Sequence, residues 1–95
     1  MALTIVADVQ AVAGKEEFLQ AELLKLIEPT RQETGCIQYD LHVDSKNIGH
    51  FVFFERWETR EVFEGHIASA HFTAFQEATN GAVERLDVHE MNQIR

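Results

Sequence analysis

A second cysteine is missing, so Cys36 can form no internal disulfide, and a reducing compartment is the simplest setting for such a chain. Proline occurs once and glycine five times in 95 residues, and no linker or low-complexity segment divides the chain. Basic residues are scarce: eight Lys and Arg stand against sixteen Asp and Glu, for a net charge of -8. A phosphate backbone or an anionic membrane surface is repelled by that field, and no basic run offsets it. Nucleic acid and membranes are therefore excluded as expected partners. No apolar run approaches the roughly 20 residues that cross a bilayer. The opening MALTIVADVQ has no basic n-region and carries Asp8 inside its apolar part, unlike a signal peptide, so the expected location is the cytoplasm. There is also no Gly-rich phosphate loop, no Gly-x-Ser-x-Gly and no nucleotide fingerprint.

What is present is apolar and patterned. The content of 45% hydrophobic and 25% charged residues is that of one globular domain. A chain this short buries only about two-thirds of its unfolded surface, and association commonly supplies the missing stability. Residues 3 to 10 alternate, with Leu3, Ile5, Ala7 and Val9 on one face, which predicts a strand. From Lys15 the period becomes helical through Phe18, Leu19, Leu23, Leu26 and Ile27. Glu16, Glu17, Glu22 and Glu28 form its solvated face. Pro29 is expected to stop or kink this helix, and Gly35 to cap any continuation.

Residues 36 to 43 alternate again, with Ile37, Tyr39, Leu41 and Val43 on one side. A polar turn over 44 to 48 leads to an aromatic strand over 49 to 57, which makes an antiparallel hairpin. Coincident apolar faces put Tyr39, Leu41 and Val43 with Phe51, Phe53, Glu55 and Trp57. Thr59 and Ser69 are N-cap residues for two short helices. Val62, Phe63, His66 and Ile67 share a face of the first; His71, Phe75 and Ala78 share a face of the second, beside Phe72. Asn80-Gly81 ends the helical part, and 84 to 91 form a last strand with Leu86 and Val88 inward.

The order β-α-β-β-α-β is the ferredoxin-like, split βαβ arrangement: an α+β fold with a four-stranded antiparallel sheet and both helices on one face. The other face has no cover from this chain, yet Val52 and Phe54 lie on it. A homodimer packed sheet to sheet is the expected solution.

The candidate chemistry sits between His50 and Phe75. His66 and His71 lie within six residues of each other, near Glu55 and Trp57. Either histidine suits a general base, and either is equally a packed histidine with a satisfied ring. Glu55, mid-strand among Phe51, Phe53 and Trp57, must be paired or protonated; it orients a histidine or pairs with Arg60. Trp57, Tyr39, Phe72 and Phe75 are core aromatics or the walls of a pocket for a planar molecule. A spacing of five does not place two histidines on one face of a single helix, so neither is expected to bind metal. His42, His50 and His89 are expected at the surface. Cys36 is expected to be a small buried hydrophobe.

The runs E-T-G-C-I-Q-Y (33–39), F-x-F-F-E-R-W (51–57) and G-H-x4-H-F-x-x-F (65–75) together resemble the antibiotic biosynthesis monooxygenase family over nearly the whole chain. The resemblance implies a dimeric α+β barrel with a pocket between sheet and helices in each protomer. It also implies oxidation of small quinols or phenols by O2 without flavin, metal or haem, so no cofactor is expected. Haem-degrading relatives share a strand-one Asn and a helix Trp, and here those places hold Asp8 and His66. On the resemblance, the catalytic residues are His66 or His71 as base with Glu55 orienting it, and Trp57, Tyr39, Phe72 and Phe75 bind the ring. An isomerase of the same family and a non-catalytic dimeric binding module are the alternative readings.

Overall fold

The computed structural model describes residues 2–95. The strands are β1 (Leu3–Ala11), β2 (Cys36–Asp44), β3 (Asn47–Trp57) and β4 (Val83–Met91). The helices are α1 (Glu16–Leu24), α2 (Ile27–Arg31), α3 (Arg60–Ile67) and α4 (Ala70–Ala78). The four strands form one antiparallel sheet in the order β2-β3-β1-β4, which is the ferredoxin-like order expected from the alternating segments.

The alternation sorts the side chains as its period of two requires. Ile5, Ala7, Val9 and Ala11 of β1 and Phe51, Phe53, Glu55 and Trp57 of β3 are buried on the helix side. The hairpin register pairs Tyr39 with Glu55, Leu41 with Phe53 and Val43 with Phe51, so the apolar faces do coincide. Leu19, Leu23 and Leu26 close over them from the first helical segment, and Phe63 and Phe75 from α3 and α4.

Four expectations need correction. The first helix breaks at Lys25–Leu26, and Pro29 lies inside α2 instead of stopping a helix. Leu26 is the N-cap of α2, so Pro29 occupies the third helical position, where a backbone N–H has no intrahelical acceptor and its loss costs little. Phe18 and Ile37 are exposed rather than inward. Ile37 is the extra residue of a bulge, since Cys36 pairs with Trp57 and Gln38 with Arg56. Leu86 and Val88 do lie on the helix side, opposite Val9 and Ala7. They are 43% and 47% exposed, because α1 packs on β3, α2 on β2 and α3 on β3 and α4, leaving the β4 edge open.

The caps hold as expected. Thr59 Oγ1 accepts from the Val62 amide at 3.2 Å, and Ser69 Oγ accepts from the Phe72 amide at 3.2 Å. Ser69 also donates to the His66 carbonyl at 2.6 Å. The break between α3 and α4 is thereby locked, and it redirects the chain between the two histidines. The opposite sheet face carries Val6, Val52 and Phe54, half-buried, among polar neighbours.

Candidate functional site

Gly35 determines how close α3 comes to the start of β2. Its φ of +89° lies in the left-handed region, and a Cβ there would sit 2.8 Å from Val62 Cγ2. With no side chain in the way, α3 settles against the turn that carries Glu33. His66, one turn further along α3, then donates from Nδ1 to Glu33 Oε2 at 2.8 Å. The redirected α4 brings His71 Nε2 to the same oxygen at 2.6 Å.

A carboxylate only accepts, so both imidazoles donate to it. This fixes His66 as the Nδ1–H tautomer when neutral and leaves Nε2 as a free lone pair. Among the described residues, that nitrogen makes no hydrogen bond. His66 is 1% exposed and packed between rings: Trp57 at 4.9 Å, Phe72 at 5.1 Å and Tyr39 at 5.5 Å between centroids. Burial pushes its pKa below the ordinary histidine value, against the pull of Glu33. Burial thus favours the neutral ring, a state in which it can take a proton.

The cavity beside it is lined by Tyr39, Phe53, Glu55, Phe63, His66, Phe72 and Phe75, together with aliphatic residues of β1 and α1, and it reaches Leu86 and Val88 at the open β4 edge. Its enclosed room is about 30 Å³, enough for one or two waters. A ring enters only if the α4 side chains Phe72 and Phe75 swing aside. Helix α4 packs on α1 and α3 and contributes Phe75 to the core.

Glu55 is 4% exposed and accepts from the Trp57 indole N–H at 2.9 Å. Burial raises its pKa to about 7, the Trp57 bond opposes the shift, and the charge of Glu33 adds to it. Tyr39 is pushed far above the ordinary phenol range by burial and then by Glu55. The Thr30 hydroxyl, fully buried, approaches Tyr39 but closes no properly aligned hydrogen bond.

Several sequence expectations change here. Glu33, not Glu55, is the carboxylate that holds the histidines. Glu55 does not pair with Arg60, which binds Glu90. Trp57 lies behind the cavity, and its N–H is already taken by Glu55. His71 sits on the outer side of Glu33 and not on the cavity wall. Tyr39, Phe72, Phe75, Glu55 and His66 are brought together as cavity lining. His50 is not a bare surface residue: it bridges Asp44 at 3.0 Å and Asp8 at 2.7 Å on the uncovered sheet face. Cys36 is half-buried, with its thiol pKa raised by burial and then by Glu33 and Glu55, which suits an inert sulfur. Glu33 was missed as a partner because the histidines lie 33 and 38 residues away; its signal was its place at the head of the run 33–39, two residues before Gly35.

The sequence profile of the antibiotic biosynthesis monooxygenase family matches residues 2–78. The chain belongs to this family. A probable quinol monooxygenase of Escherichia coli K12 is 28% identical over 95% of this chain and 91% of its own length. An uncharacterized protein of Synechocystis is 40% identical over 66% of this chain, but the match spans only 42% of that relative. The crystal structure of a Pseudomonas aeruginosa protein superposes with a TM-score of 0.95 at 31% identity, covering 99% of this chain and 95% of that one. The chain thus shares that protein's fold over nearly its whole length.

Proposed function

We propose that this chain is a cofactor-independent monooxygenase that oxidises a small aromatic quinol or phenol with O2. The observation that carries the reading is the free Nε2 of a buried, neutral His66 at the wall of an aromatic cavity, with Glu33 fixing the tautomer from behind. Family membership and the quinol monooxygenase relative support it.

In this mechanism His66 Nε2 takes the phenolic proton, and the imidazolium is stabilised by Glu33. Glu55, protonated up to about pH 7, adds no charge beside the new anion and can donate an O–H to its oxygen. The electron-rich anion passes one electron to O2, and the resulting radical pair joins to form a carbon–oxygen bond. His66 passes its proton to the peroxide anion to give the hydroperoxide. As the O–O bond then breaks, the ring carbon gives up its hydrogen as a proton to His66 Nε2 and becomes a carbonyl, and His66 hands that proton to the departing hydroxide, which leaves as water. One oxygen atom enters the quinone and the other leaves as water. All four electrons come from the substrate, so the balance calls for no further reductant.

A homodimer through the uncovered sheet face belongs to the same proposal. Val6, Val52 and Phe54 are apolar and only half-buried there, and a second copy would cover them. Light scattering at micromolar concentration is expected to give the mass of two chains, and a monodisperse monomer overturns it.

Oxygen uptake over a panel of quinols and phenols tests the chemistry. Wild type is expected to exceed buffer autoxidation, and His66→Ala to lose about 10²–10⁴-fold in kcat, the usual worth of a general base. Equal uptake by wild type and His66→Ala refutes the assignment. Conversion of the substrate without oxygen consumption would instead favour an isomerase, which can use the same His66 and Glu55 for proton transfer.

A further inference from the structure

We infer that Glu33, His66 and His71 form a binding site for a divalent first-row transition metal ion. The five-residue spacing argues against two ligands only if both histidines share one helix. They do not: His66 ends α3 and His71 opens α4, and the Ser69 cap between them turns the second ring toward the first. His66 Nδ1, His71 Nε2 and a Glu33 carboxylate oxygen all lie within 4.8 Å of one another.

Two imidazoles and a carboxylate are a facial donor set for such ions. Ligand bonds of about 2.0–2.2 Å put neighbouring donor atoms roughly 3.0–3.4 Å apart. The nitrogens now stand 2.8 and 2.6 Å from Glu33 Oε2. An opening of about half an ångström therefore replaces two hydrogen bonds by metal bonds. Glu33 and His71 are partly exposed, with side-chain exposures of 18% and 26%, so an ion can enter from solvent while His66 supplies the buried ligand. The other histidine–carboxylate cluster does not match this geometry. His50 there spends its two ring nitrogens on two different aspartates, and one imidazole cannot turn both nitrogens to one ion.

Occupancy has a consequence that rests on the proposed oxygenation. A metal on His66 Nδ1 moves the imidazole proton to Nε2, which can then no longer accept one. Metal binding and the base state of His66 exclude each other, so the ion acts as an inhibitor.

Calorimetric titration of the full chain with zinc chloride, alongside cobalt(II) absorption, tests the site. One ion per chain is expected. Glu33→Gln and His71→Ala should each weaken binding at least tenfold, while His42→Ala, at an exposed position of β2, leaves it unchanged. His71→Ala, at a partly exposed position, serves if Glu33→Gln fails to fold. No saturable binding, or equal binding by wild type and His71→Ala, overturns the site. Oxygen uptake is then followed with zinc present. Inhibition that tracks occupancy supports both the site and the base; binding without inhibition keeps the site and overturns His66 as the base.

Discussion

Replacing Glu55 by Gln should change how stability depends on pH more than it changes stability itself. The fold raises the Glu55 pKa from an ordinary 4.5 to about 7, through burial opposed by the Trp57 hydrogen bond and assisted by Glu33. A carboxyl raised in the folded state favours its protonated form. Its contribution is therefore fully present below pH 4.5 and is lost as pH rises through 7. The shift of about 2.5 pK units corresponds to roughly 3 kcal/mol lost by pH 8. Glutamine has the same shape, keeps an acceptor for the Trp57 N–H, and does not titrate. Urea unfolding of wild type and Glu55→Gln, at one protein concentration because association would shift the midpoint, should show the variant gaining about 3 kcal/mol on wild type between pH 4.5 and pH 8. Other titrating groups cancel in that difference. Parallel profiles for the two proteins would refute the reading of Glu55 as a neutral carboxylic acid at the cavity wall.

Gly35→Ala should destabilise by about 2–4 kcal/mol, combining the left-handed backbone penalty with the clash against Val62. It should also lower any His66-dependent activity, since α3 is displaced from Glu33; an unchanged thermal midpoint contradicts this. The His50 bridge runs the same way in pH, over a higher range. Its pKa is raised by hydrogen bonds to Asp44 and then Asp8, so its stabilisation is full below about pH 6.5 and is lost as pH rises through the folded value. The midpoint gap between wild type and His50→Gln should therefore narrow from pH 6 to pH 9, and a constant gap counts against the bridge.

The fold was legible because each segment carries an unmixed period. The alternation of Ile5, Ala7 and Val9 and of Phe51, Phe53 and Trp57 places every strand, and the Thr59 and Ser69 caps mark both short helices. Departures arose where tertiary context overrides local rules, as at Pro29 in a first helical turn and Ile37 on a bulge. The half-open face of β4 depends on where helices of limited length can reach, which no strand pattern encodes. The site was legible in its residue types and not in its wiring. His66, Glu55, Tyr39, Phe72 and Phe75 do border one cavity. The pairing that organises it, Glu33 with two histidines, joins the turn between α2 and β2 to α3 and α4 and has no local periodicity to reveal it. Trp57 was misplaced for a related reason: its indole N–H found a partner two residues away in its own strand.

The central claim is that Glu33 fixes the tautomer of a His66 kept neutral by burial, leaving its Nε2 lone pair free for chemistry. The ¹⁵N imidazole spectrum of the protein at pH 7 tests this most directly. His66 is expected as the Nδ1–H tautomer, with Nε2 unprotonated and moving when a quinol is added. An Nε2–H tautomer, or an imidazolium at that pH, would contradict it.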